Sequence, residues 1–335
     1  MACPVRKTAA VPSHLPWVEK YRPNTIAEVA YQTEVCQALE ACINSGSIPH
    51  LLLHGPPGTG KTSAILATAK ALYGRDALKN RVLELNASDD RGINVVRDKI
   101  KKFAQTTLAR SNNPRMPCFK MVILDEADCL TSDAQAALRR VIEKYTKVTR
   151  FVLICNYVSK VIDPLLSRCM KFRFKPISVD AHLQRLQYIA DQEKLRLTAP
   201  AFQAIVELAD GDLRRSITLL QSCRQLCTVG ALSRDDVMEI ACAVPEGTIE
   251  RIYRSCCGTL DEVHTTIEDC VMDGFQADSI LLYFYHFITS RDEISEGKKA
   301  RLAEYLAEAD SGLKCGGDER LTLLKAFSKT QLLLQ

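Results

Sequence analysis

Apolar positions recur along this chain in two rhythms. Short runs that are apolar nearly throughout, at residues 51–53, 82–85, 121–124 and 151–155, alternate with stretches of helical period at 34–43, 62–73, 94–104 and 132–145. A last strand is expected at 171–174. Strands without a polar face, separated by amphipathic helices, predict a parallel sheet covered on both sides, the α/β architecture. The helix from Ser132 is expected to open on a capping box with Gln135. Ahead of the first strand, Trp17-Val-Glu-Lys-Tyr-Arg-Pro23 reads as a fixed strap and not as a strand, because Pro23 biases Arg22 toward an extended conformation.

After Pro176 the strands stop. Residues 179–237 are helical in period, with Gly211-Asp212 as the break and Asp212 placed to cap a helix over 213–226. Beyond Val244-Pro245 the pattern stays helical, at 249–256, 260–272, 277–290, 300–309 and 319–334. The expected domains are therefore an α/β core over 1–175, a small helical domain over 176–238 and an all-helical domain over 239–335. No repeat at periods of about 20 to 50 residues is present, which excludes a solenoid.

Composition sharpens this division. The 335 residues carry 44 Lys and Arg against 40 Asp and Glu, a formal net charge of +4. From Glu239 to Gln335 there are 10 basic and 17 acidic side chains, net −7, which leaves +11 in the first 238 residues. With 47% hydrophobic residues the chain can build packed cores, so disorder and a collagen-like chain are excluded. No stretch approaches the roughly 20 apolar residues of a membrane span, and the start lacks the apolar core of a signal peptide. A soluble, non-secreted protein without a membrane partner is expected. None of the 14 cysteines forms a C-x-x-C pair, and Cys129, Cys155 and Cys242 sit in apolar runs. Reduced, mostly buried thiols are the expectation, in the cytosol or nucleus.

The sharpest chemistry is at Gly55-Pro56-Pro57-Gly58-Thr59-Gly60-Lys61-Thr62, which follows an apolar strand and opens a helix. That context is the one the phosphate-binding G-x-x-x-x-G-K-[ST] loop requires. Its backbone N–H groups and the helix N-terminus cradle phosphate oxygens. Lys61 can reach the β and γ phosphates, and the Thr62 hydroxyl can hold Mg²⁺. Met121-Val-Ile-Leu-Asp125-Glu126-Ala-Asp128 is a buried strand ending in carboxylates, where the ligands of open α/β sheets bind. Asp125 is expected to complete the Mg²⁺ shell and Glu126 to polarise the attacking water. Asn156, at the end of the next strand, can hydrogen-bond both γ-phosphate and water. The letters Asp125-Glu-Ala-Asp128 also suggest an RNA helicase of the DEAD-box kind, but no second helicase core follows.

With these elements in order the chain resembles the AAA+ ATPases. Three further strings narrow the match: Trp17 to Pro23, Leu85-Asn-Ala-Ser-Asp-Asp-Arg-Gly-Ile93 and Ser167-Arg168-Cys169. Together with Gly211-Asp-Leu-Arg214 they are similar to the clamp-loader small subunits of replication factor C, over essentially the whole chain. No long N-terminal extension precedes the strap, as in the small subunits, and the wording is most similar to the fourth subunit type of the eukaryotic complex. The resemblance implies an AAA+ P-loop core, a helical lid and a helical collar for oligomerisation. It implies Val18, Arg22 and Ala30 around the adenine, Asn156 as sensor of the γ-phosphate, and Arg214, with Arg215 beside it, as a second sensor from the lid. It makes Arg168 an arginine finger acting on ATP bound by the adjacent subunit.

The helix from Asn94 places Val96, Ile100 and Phe103 inward and Arg97 and Lys101 together on another face, with Lys102 alongside. Taken alone this is a solvated charged face; the resemblance makes it a surface that tracks primer-template DNA, with Ser88, Arg91, Arg97 and Lys101 facing the backbone. The Asn- and Pro-rich turn at 111–117 reads as a surface loop. The implied function is that of an ATPase subunit of a nuclear hetero-pentamer. With ATP and Mg²⁺ the pentamer opens the sliding clamp, proliferating cell nuclear antigen, and loads it onto primed DNA in replication and repair. Two alternatives stay open: an AAA+ motor of the branch-migration type, and a non-catalytic scaffold that keeps nucleotide as a structural ligand.

Overall fold

The computed structural model describes residues 15–29, 32–88, 93–106, 117–224 and 231–334, without the side chains of residues 75, 76 and 93–97. Five strands, β1 (Leu51–His54), β2 (Val82–Asn86), β3 (Lys120–Asp125), β4 (Thr149–Cys155) and β5 (Met170–Arg173), form one sheet in the order β2-β3-β4-β1-β5. All four pairings are parallel, with Leu51 opposite both Val152 and Met170, and Asn86 opposite Asp125. Each expected strand is present, its ends moved by at most two residues.

Side chains alternate across the sheet as the strand period demands. Leu51, Leu53, Met121, Ile123, Val152 and Ile154 enter one core, which is closed by α2 (Thr33–Ser45) and α3 (Lys61–Arg81). Leu52, Val122, Leu124, Phe151 and Leu153 enter the other, closed by α4 (Ile93–Gln105) and α5 (Ser132–Tyr145). Burial on both faces is why these strands lack a polar side. Helix α3 is interrupted at Gly74 (φ 73°, ψ 169°), so the helix that begins at the phosphate loop ends at Tyr73, as the periodicity suggested.

The strap is not a strand, as expected, and it opens on a short helix, α1 (Trp17–Lys20), with the Pro16 carbonyl at its N-cap accepting from the Glu19 and Lys20 N–H groups. Trp17 is nonetheless anchored, 3% exposed. The capping box at Ser132 does not form. Thr131 caps α5, accepting from the Ala134 N–H, and Gln135 turns inward: it donates to Leu130 and Lys160 carbonyls and accepts from the Ile162 N–H at 2.8 Å.

A short α6 (Asp163–Leu166) precedes β5, and helices α7 (Val179–Glu193), α8 (Ala199–Ala209) and α9 (Leu213–Cys223) follow it. Asp212 caps α9 as expected, accepting from Arg214 N–H at 2.8 Å. The chain groups into two compact units, one of residues 1–196 with 205–229, the other of residues 197–204 with 230–335. The second unit contains α10 (Arg234–Ile240), α11 (Glu246–Cys256), α12 (Leu260–Met272), α13 (Ala277–Thr289), α14 (Glu296–Lys314) and α15 (Glu319–Leu334). Its core centres on Val263, Ile267, Phe284 and Phe327, with the two phenyl rings edge to face at 4.8 Å.

Among the described residues no helix is long and apolar enough to cross a membrane. Cys155, Cys169, Cys223, Cys256 and Cys270 are buried, and burial pushes the Cys155 thiol up to about 11. Cys129 and Cys242 are exposed, against the expectation from their apolar neighbours. Cys129 ends a tight turn after β3, and Cys242 has a positive φ of 49° just beyond α10.

Candidate functional site: a phosphate loop under a strap and a lid

The residues after β1 turn sharply enough that only glycine fits at two points. A Cβ on Gly55 would lie 2.3 Å from the Phe174 carbonyl oxygen, and one on Gly58 (φ 70°) would lie 1.9 Å from Oδ1 of Asp212. The loop delivers Lys61 to the first position of α3. Its Nζ donates to the carbonyls of Gly55 (2.8 Å) and Pro56 (2.7 Å) and to Oδ1 of Asn156 (2.9 Å). Lys61 is 7% exposed, and burial, reinforced by Arg214 and opposed by Asp125, holds its ammonium below the usual lysine range.

Beside it, the Thr62 hydroxyl donates to Oδ2 of Asp125 at 2.7 Å, while Oδ1 of Asp125 accepts from the Glu126 N–H. A hydroxyl and a carboxylate are the hard oxygen donors that Mg²⁺ takes, so this pair fits the metal the loop implies. Glu126 is half-buried with left-handed backbone (φ 54°), a conformation that costs a non-glycine residue about 1 kcal/mol. Its backbone leaves the strand line directly after Asp125. Asn156 is exposed at the end of β4, and Oδ2 of Asp128 accepts the N–H groups of both Asn156 and Tyr157 at 3.2 Å. Oδ1 of Asp128 is buried without a hydrogen-bond partner. Because β4 lies between β3 and β1, Asn156 falls between the acidic strand end and the loop.

A cavity of about 290 Å³ opens over the loop, bordered by Gly58, Thr59 and Gly60. Val18 and Arg22 of the strap wall one part of it, and Ile177, Ile217 and Arg214 another. Arg214 lines this space and Arg215 does not. The volume and the mixed apolar and cationic walls suit a nucleotide with its phosphates on the loop. Ala30 lies outside the described residues.

Arg168 is not part of this cavity. It follows α6, where its guanidinium donates to the Pro164 carbonyl (2.7 Å) and to Oε1 of Glu143 on α5 (2.6 Å). The hydrogen bond from Arg139, joined by the charge of Arg168, holds Glu143 below the usual carboxylate range. Of the residues expected to face DNA, Lys101 is exposed on α4 beside Lys102, with Ile100 buried and Phe103 half-buried behind them. Ser88 is engaged locally, its N–H and hydroxyl both directed at Oδ1 of Asn86. Arg91 and the side chain of Arg97 lie outside the described residues, as does most of the turn at 111–117.

Sequence reasoning passed over Asp128 and Glu143 as supports. Asp128 had a usable signal, since it is the last carboxylate of the string after β3; Glu143 had none, being one of several charges on a polar helix face.

Three family models match the chain: the ATPase family associated with various cellular activities over residues 51–177, the RCF1/5-like AAA+ ATPase lid domain over 184–225, and the replication factor C C-terminal domain over 244–329. The chain is 46% identical to replication factor C subunit 2 of Oryza sativa subsp. japonica, covering 96% of this chain and 95% of that one. It is 45% identical to replication factor C subunit 4 of Homo sapiens (92% and 86%) and 41% identical to the replication factor C small subunit of Archaeoglobus fulgidus (92% and 94%). The RuvB Holliday junction branch migration motor of Thermotoga maritima superposes with a TM-score of 0.53 at 20% identity, over 78% of this chain and 91% of that one. That likeness is one of fold alone. The three models follow one another along the chain and the replication factor C relatives match it over nearly its whole length, so the chain belongs to the replication factor C small-subunit family of AAA+ ATPases.

Proposed function

We propose that this clamp-loader ATPase subunit hydrolyses Mg²⁺-ATP in the cavity over Gly55 to Thr62 and lends Arg168 to the site of a neighbouring subunit. The observation that carries this reading is a division of labour. Lys61, Thr62, Asp125 and Asn156 converge on one loop with Arg214 above it, whereas Arg168 is held on α5 and α6 outside the cavity they form. With Arg168 outside the cavity that holds the phosphate grip, its place of action as a finger is a second site.

Bound between Thr62 and Asp125, Mg²⁺ would neutralise charge on the β and γ phosphates. Lys61 exchanges its carbonyl acceptors for phosphate oxygens, a gain for an ammonium that is already desolvated. Asn156, released from Lys61, turns its amide to the γ-phosphate and the attacking water. Glu126 holds that water and accepts its proton. Arg214 closes on the phosphates from the lid and excludes solvent. Val18 and Arg22 border the base.

The working unit is a hetero-pentamer of replication factor C subunits in the nucleus. ATP contacts shared between neighbours assemble the form that opens the sliding clamp, and hydrolysis releases the clamp on primed DNA. Ser88, Arg91, Arg97 and Lys101 are assigned to the DNA backbone. Turnover stimulated by clamp and primed DNA, measured in the reconstituted complex, tests the reading. Glu126→Gln is expected to keep ATP bound while removing this site's share of turnover, and Arg168→Ala to slow a neighbour's site. Unchanged turnover in both variants would reduce the chain to a nucleotide-holding scaffold.

A further inference from the structure

Glu193 lies at the end of α7, with its side chain 7% exposed, and does not line the nucleotide cavity. Three residues nevertheless converge on it. The Lys20 ammonium and the Tyr21 hydroxyl (2.6 Å) both donate to Oε1, and Arg224, just past α9, reaches Oε2 at 3.4 Å. Burial raises the Glu193 carboxyl, but the bonds from Lys20 and Tyr21 and the charges of Lys20 and Arg224 outweigh it, so the group is held below the usual range.

Further contacts nearby also join strap to lid. Trp17 N–H donates to Oε1 of Gln221 on α9 (2.9 Å), Arg185 of α7 donates to the Tyr21 carbonyl (2.8 Å), and the Arg224 guanidinium sits 5.7 Å over the Trp17 ring. From the same strap, Val18, Tyr21 and Arg22 wall the cavity that Arg214 also lines.

We propose that Glu193 is a positioning residue for nucleotide binding: it staples the strap to the lid helices, so that the base-side wall and Arg214 meet the phosphate loop as one piece. This rests on reading the cavity as the ATP site. Charge-assisted hydrogen bonds that order two walls of a site reduce the entropy lost when a ligand enters between them. Affinity for the whole nucleotide therefore depends on a carboxylate that never touches it.

Trp17 is the single tryptophan of the chain and reports the staple directly. The full chain is titrated with a fluorescent ATP and a fluorescent ADP, and Trp17 accessibility is followed by acrylamide quenching. Glu193→Gln is expected to weaken both nucleotides about tenfold, the scale of one lost charged hydrogen bond, and to make Trp17 more quenchable. Lys20→Met, which keeps Glu193 and its other partners, gives the same two changes in smaller measure and serves if Glu193→Gln does not fold. Wild-type affinity and quenching in both variants, with Lys61→Ala still losing nucleotide, overturns the staple alone. Unchanged binding by Lys61→Ala overturns the ATP-site reading and the staple with it.

Discussion

Lys61 gives its ammonium hydrogens to two loop carbonyls and to Asn156, so the phosphate loop folds around its own lysine. Removing the Asn156 amide leaves the two carbonyl bonds in place. Asn156→Ala is therefore expected to bind ATP within about threefold of wild type yet hydrolyse it about a hundredfold more slowly, as for the loss of one transition-state hydrogen bond; nucleotide titration and phosphate release in the complex separate the two. His50 makes a different prediction. It is 8% exposed, its Nδ1 accepts from the Phe151 N–H, and burial lowers its pKa to about 4. Between pH 6.5 and 4 the unfolded chain binds more protons there than the folded one, so stability falls as pH falls through that window. The loss is at most about 3 kcal/mol, and denaturant midpoints across the range, compared with His50→Gln, check it. At this scale the sequence was legible where the candidate site is built from chain neighbours, as in the loop from Gly55 to Thr62. Glu193 was silent because its strap partners lie 172 and 173 residues away, and no spacing rule reaches that far.

Among the elements, strands were the easier to read, because a run such as Met121 to Leu124 with no polar face has one use, a buried parallel strand. Caps were harder. Thr131 and Ser132 are both competent N-caps, and the choice between them was made by Gln135, which is 2% exposed and ties α5 to Leu130, Lys160 and Ile162. Gln135→Ala would leave those backbone groups unpaired and is expected to cost about 1 to 3 kcal/mol, read as a fall in the denaturation midpoint. Helix α4 presents Lys101 and Lys102 to solvent with Ile100 behind them, and Arg97 stands one turn earlier. If that helix tracks DNA, Arg97→Ala with Lys101→Ala should lower the slope of log affinity against log salt by about 2, near one per lost phosphate contact. An unchanged slope for primed template would remove α4 from the DNA path.

At the level of the whole chain, a net charge of +4 divides into a basic stretch carrying the ATP site and an acidic stretch of helices. The acidic helices leave large apolar side chains exposed, among them Met272 (85% exposed) and Leu332 (75%). If DNA is held by charge and neighbouring subunits by apolar burial, the two respond differently to salt. Raising salt from about 50 to about 200 mM should release primed DNA well before the pentamer dissociates, which native mass spectrometry and DNA anisotropy would show together. The grouping of residues 197–204 with 230–335 was not readable from the sequence, since it rests on Leu197 and Thr198 meeting Leu232 more than thirty residues on. The meeting of Asp212 with Gly58 has a mechanical consequence. The cap of the lid helix rests on the phosphate loop at a position where the loop pattern permits any residue, and only a hydrogen atom leaves room for it. Gly58 thus sets how closely the cap of α9 can approach the loop, and through the two residues from Asp212 to Arg214 it sets the standing distance of an arginine with which it shares no chemistry.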